Sequence, residues 1–160
     1  MTQPLDLKGM AARFISRLPT WPPSLILAQT LNQALSPLIE DESLAPLINK
    51  RIVVFVEDLG LSFHFTLRQK RFVPISLNSK PDLVMRSTFT DFYLLATRQE
   101  DPDTLFFNRR LVIEGDTELG LIAKNAMDSL DLPKPVLMLC NFVKKIDALK
   151  HHTQSTKLSR

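Results

Sequence analysis

The stretch RQEDPDTLFFNRRLVIEGDTELG, residues 98–120, carries the most information in the chain. Two phenylalanines, Phe106 and Phe107, face two arginines, Arg109 and Arg110, across Asn108. Asp101-Pro102-Asp103 reads as a turn, because aspartate and proline both favour turn geometry. LVIEG reads as a short strand. Asp116 or Thr117 can cap a following helix, and Glu118 suits the positive end of its dipole. Leu119, Ile122, Ala123, Ala126 and Leu130 recur at helical spacing, whereas Leu121 falls on the opposite face, where a polar residue is expected.

Working back from this stretch, the apolar period is two. RIVVFVED (51–58) is β-branched and apolar, a strand with both faces partly covered. LSFHFTL alternates, with Leu61, Phe63, Phe65 and Leu67 on one face and Ser62, His64 and Thr66 on the other. Asp58-Leu59-Gly60 makes the hairpin turn between these strands. Pro74 cannot donate to a ladder, which places RFVPISL at an edge or a bulge. DLVMRSTF gives a further strand. Thr88 or Thr90 caps one helix between the last two strands, carrying Phe92, Tyr93, Leu94 and Leu95.

Before residue 45 the pattern is helical. Leu7, Met10, Ala11, Phe14, Ile15 and Leu18 form one stripe of an amphipathic helix, with Lys8 at its rim and Arg13 and Arg17 away from it. Such a helix suits a membrane surface or the parent domain equally. A second helix starts near Pro22 or Pro23 and is broken or kinked at Pro37. A short helix follows, ending near Lys50. At the other end, a helix near 135–150 buries Leu139, Phe142, Val143 and Ile146. The expected layout is α+β: about five mostly antiparallel strands covered by helices. It divides into an N-terminal helical arm (1–45), a main domain (46–150) and a basic, flexible tail (151–160).

A chain of 160 residues suits one domain, and its single cysteine, Cys140, excludes an internal disulfide or a thiolate zinc cluster. Cys140 is expected to pack as a small hydrophobe. The N-terminal residues lack the pattern of a secretory leader, and no window is apolar enough to cross a membrane. The charge is +3, with a basic C-terminal end that holds no aromatic after Phe142, unlike a nucleic-acid stripe. Phosphate-cradling glycine motifs are absent; the chain has four glycines in all. His64, His151 and His152 lack a nucleophile-and-base setting. Glu114 and Asp116 are explained by a strand end and a helix cap, with Arg109 and Arg110 as their possible ion-pair partners. Catalytic and metal-binding residues are therefore not expected. Ten phenylalanines and five methionines suit either a filled core or a cavity for a flexible apolar ligand.

The motif D-P-D-T-L-F-F-x-R-R-L-x-I-E-G-D-T-E-L-G, within residues 97–133, resembles the ubiquinone-biosynthesis accessory branch of the sterol-carrier-protein lipid-binding superfamily. The order of elements from about 45 to 150 is similar as well. The resemblance implies a sheet and helices around a hydrophobic tunnel, no catalysis and no cofactor. It implies binding of polyprenylated quinone precursors or phospholipids during oxygen-independent ubiquinone synthesis, beside the hydroxylase proteins UbiU and UbiV. The alternatives are a scaffold for a biosynthetic complex and a general phospholipid carrier. Expected wall residues are Phe63, Phe65, Met85, Phe92, Phe106, Phe107, Leu119, Ile122 and Met127. Arg109 and Arg110 are head-group candidates. Lys8, Arg13, Phe14 and Arg17 are the candidates for contact with the inner membrane from a cytoplasmic location.

Overall fold

The alternating segments become five strands: β1 (Ile52–Val56), β2 (Leu61–Arg68), β3 (Arg71–Pro74), β4 (Leu83–Ser87) and β5 (Val112–Gly115). The computed structural model describes residues 21–76, 78–130, 132–134, 136–138 and 141. Helices α1 (Trp21–Ala34) and α2 (Ser36–Glu40) and a 3-10 turn (Ala45–Leu47) precede the sheet. Helices α3 (Phe89–Ala96) and α4 (Pro102–Phe107) separate β4 from β5, and α5 (Thr117–Asp128) follows. The strand order is β3-β2-β1-β4-β5. Only β1 and β4 pair in parallel; the other pairs are antiparallel. The fold is α+β, a five-stranded, mostly antiparallel sheet with helices, as the alternation predicts.

Register decides which side chains reach the core. Ile52 lies opposite Phe65 and Leu83, Val54 opposite Phe63 and Met85, and Leu67 opposite Phe72. These residues share one face, because paired residues project to the same side. Leu35 and Ile39 cover that face toward β3, and Leu95, Leu105, Leu119 and Ala123 cover it toward β5. Phe65 and Phe72 meet edge to face, with centroids 5.7 Å apart.

The free edge of β3 is closed by side chains rather than by another strand. Asn32 of α1 donates to the Phe72 carbonyl at 2.9 Å and accepts from its N–H at 2.6 Å. Ser24 accepts from the His64 N–H at 3.0 Å, beyond the end of β3. Together they satisfy backbone groups that an open edge would offer to another chain.

Two expectations need correction. Residues 101–103 do not form a simple turn, and two helices, not one, separate the last two strands. Asp101 accepts from the Thr104 N–H at 2.8 Å, Pro102 occupies the first helical turn, and Leu105 is fully buried, so the segment winds into α4. The break near Pro37 falls at Leu35 instead. Pro37 sits in the first turn of α2, where a missing N–H removes no helical bond. The expected amphipathic helix at 5–18, most of the helix expected at 135–150 and the tail at 151–160 lie outside the described residues.

Glu-Gly-Asp at 114–116 turns the chain from β5 into α5. Gly115 has φ +118°, and a Cβ there would lie 2.3 Å from the Asp82 carbonyl oxygen. Asp116 then caps α5 through the Glu118 and Leu119 N–H groups. Gly115→Ala is expected to lose about 2–3 kcal/mol of stability, read by urea denaturation. Asp82 itself receives the Arg51 backbone N–H at 2.8 Å and a guanidinium fork at 2.9 Å. These bonds hold its carboxyl well below the usual aspartate range of about 3.9. A depressed folded value means stability that is present above about pH 4 and lost as pH falls below it. The urea midpoint of Asp82→Asn is expected to lie below that of the parent at pH 7, with the gap narrowing on acidification.

Candidate functional site

The two neighbouring arginines have different tasks. Arg110 donates to both carboxylate oxygens of Glu100, at 3.0 and 2.7 Å, and its Nε donates to Asp91 Oδ1 at 3.1 Å. Its Nη2 also pairs with Asp91. Asp91 is 6% exposed, and Thr88, the N-cap of α3, donates to its other oxygen at 3.0 Å. The Arg110 carbonyl accepts from the buried Ser87 hydroxyl. These partners raise the Arg110 pKa, the Asp91 bond most. Arg109, by contrast, is exposed and takes a left-handed backbone (φ 58°), and its side chain makes no hydrogen bond or ion pair among the described residues. Neither arginine pairs with Glu114 or Asp116, the partners considered from sequence. Glu114 pairs with Arg86 across the β4–β5 ladder, and Asp116 is the helix cap.

The expected wall residues fall into three groups. Phe65, Met85, Leu119 and Met127 are buried in the core cluster. Phe63, Phe92 and Ile122 are half-buried against that cluster. Phe106 and Phe107 are exposed, at 42% and 78%. The first two groups lie between the sheet and the helices; the phenylalanine pair lies outside that layer. Leu121 is 55% exposed, as its misplaced position in the helical pattern predicts. Lys8, Arg13, Phe14 and Arg17 lie outside the described residues.

Sequence reasoning missed a hollow lined by Ile39, Glu42, Leu44, Ala45, Ile48, Leu67 and Lys70, with Glu42 and Lys70 paired at 3.4 Å on its rim. Its volume of about 120 Å³ is well below that of sites for drug-sized ligands. No periodicity signals it, because it forms where α2, the 3-10 turn and the β2–β3 turn come together at the end of β2. On the far face of the sheet, Ser62 Oγ and His64 Nε2 are hydrogen-bonded at 2.6 Å. Burial pushes the His64 pKa down, but its Nδ1 has no partner to orient the ring. The pair therefore lacks the third group of a nucleophilic relay. Among the described residues, no group of three or more His, Cys, Asp or Glu could hold a metal, and no helix is long and apolar enough to cross a membrane.

The matched family model decides the relationship. Residues 27–128 match the SCP-2 sterol transfer family. The chain belongs to that family. The match spans every wall candidate together with Arg109 and Arg110. The chain is also 38% identical, over 117 residues, to the ubiquinone biosynthesis accessory factor UbiT of Escherichia coli K12, covering 71% of this chain and 67% of that one. A solved structure described as UbiJ-SCP2, a ubiquinone synthesis protein, aligns with TM-score 0.49 and 16% identity over 79% of this chain and 94% of its own. The sterol carrier protein domain 2 of Helicoverpa armigera aligns with TM-score 0.44 and 16% identity over 66% and 88%.

In this SCP-2 family chain, Arg110 holds a nearly buried carboxylate and Arg109 holds nothing. Arg110→Ala is expected to lower the urea midpoint, because Asp91 would keep its burial and lose its counter-charge. Arg109→Ala is expected to change stability by less than about 0.5 kcal/mol. Paired urea titrations check both.

Proposed function

We propose that this chain is a non-catalytic lipid-binding accessory factor in ubiquinone biosynthesis, holding or presenting polyprenylated quinone precursors. Similarity to UbiT over most of the chain carries the reading, and membership of the SCP-2 sterol transfer family supports it. We place the isoprenoid tail between the sheet and α3 and α5, where half-buried Phe63, Phe92 and Ile122 border the core. Removing apolar groups from water contributes roughly 0.8 kcal/mol per methylene, so roughly 4 kcal/mol for a five-carbon isoprene unit. A tail of several units outweighs the free energy of ordering it. Sheet and helix side chains meet there in one core cluster, so under this proposal uptake parts the layer. Met85 and Met127, unbranched and adaptable, are placed in that layer to repack.

Under this proposal the hydroxylase proteins UbiU and UbiV receive the precursor in an oxygen-independent route. Under the same proposal the N-terminal segment, through Lys8, Arg13, Phe14 and Arg17, contacts the cytoplasmic side of the inner membrane. Native mass spectrometry of the purified protein with an added prenylphenol tests the central step. A one-to-one adduct is expected, weakened when Phe63 and Phe92 are replaced by serine. Protein that carries no lipid and takes up none would refute the reading. Capture of UbiU and UbiV without lipid uptake would favour a scaffold, and uptake of phospholipid alone would favour a general carrier.

A further inference from the structure

Phe106 and Phe107 are surplus to the interior. Helix α4 already buries Pro102 and Leu105 on its inner side, yet carries two exposed rings packed edge to face, with centroids 5.8 Å apart. One turn before them, Asp103 pairs with Lys124 of α5. One turn along α5 from Lys124 stands the exposed Leu121. The exposed faces of the two helices are thus joined by an ion pair, with apolar side chains on both.

The charges beside the rings are sorted. Every acidic side chain in residues 98–110 is turned to a partner within the protein: Glu100 to Arg110, Asp101 to the Thr104 N–H and hydroxyl, and Asp103 to Lys124. The side chain of Arg109, two residues beyond Phe107, has no partner among the described residues. Its backbone is left-handed, and it is exposed.

We propose that Phe106, Phe107 and Arg109 form an insertion tip for an anionic bilayer surface. The rings enter the interface between head groups and acyl chains, and the guanidinium fork binds lipid phosphate. A second copy is the less favoured occupant, because a twofold contact through the ring pair would set Arg109 beside its own counterpart. The tip deepens the lipid-binding reading, naming the surface from which the ligand is collected, and it can fail separately from that reading.

The test uses the full chain, sedimented with vesicles of phosphatidylcholine alone or of phosphatidylcholine mixed with phosphatidylglycerol. The parent is expected to bind the mixed vesicles and to be released by salt. Phe106→Ser with Phe107→Ser is expected to weaken binding by about tenfold or more, and Arg109→Glu to abolish the preference for anionic vesicles. Circular dichroism confirms that each variant is folded, and Arg109→Gln serves as a milder variant should Arg109→Glu fail to fold. Variants that sediment like the parent would overturn the tip, as would a parent that ignores both vesicle types. A parent dimer dissolved by the double variant, with vesicle binding unchanged, would assign the rings to self-association instead. Uptake of a water-dispersed short prenylphenol is measured in parallel. Uptake retained by variants that no longer sediment supports the tip. Uptake lost together with sedimentation would assign the rings to the ligand site. A parent that sediments but takes up no prenylphenol would sustain the tip and refute the lipid-holding reading.

Discussion

Asp91 is a carboxylate with 6% of its surface exposed, and the architecture around it answers that burial. A buried charge without a partner is strongly destabilising, so the chain brings Arg110 from 19 residues away to fork onto it. That contact ties the first turn of α3 to the segment between α4 and β5. Because Arg110 also holds Glu100, the connection from α3 to α4 is fixed from both ends. Arg110 is held by these two carboxylates, while the left-handed Arg109 is left exposed two residues beyond the exposed rings of α4. One electrostatic requirement thus orders the connection between β4 and β5 and leaves Arg109 exposed beside it.

The sheet supplies the frame on which this connection rests. Strand β1 stands between an antiparallel and a parallel neighbour, so β4 must be reached by a long connection, and helices must cover the face where Ile52, Phe65 and Leu83 meet. Gly115 permits the close approach to the Asp82 carbonyl that lets α5 fold back on that same face. Apolar side chains from both layers then meet in one core cluster.

Much of this was legible in the residues. The alternation of Leu61, Phe63, Phe65 and Leu67 showed a strand, and Pro74 marked the edge. Asp116 showed its cap, and Leu121 its exposure. What stayed hidden depended on distance along the chain or on one backbone angle. Asn32 closes the sheet edge from 40 residues away, and no local pattern announces that. Asp-Pro-Asp carries the chemistry of a turn and of a helix start alike, and the burial of Leu105 decides between them. Arg109 and Arg110 are indistinguishable in sequence; the left-handed conformation at 109 separates an exposed cation from an anchored one. The aromatic residues read as one set of wall candidates and divide by burial into core, fringe and surface.

The most direct measurement of the central claim is photochemical. A prenylphenol carrying a light-activated group at the end of its tail is bound, irradiated, and located by peptide mass spectrometry. A tail held between the sheet and the helix layer predicts adducts on β2, α3 and α5, at or beside Phe63, Phe92 and Ile122. Adducts confined to the hollow at Ile48 and Lys70, or none above background, would contradict the account.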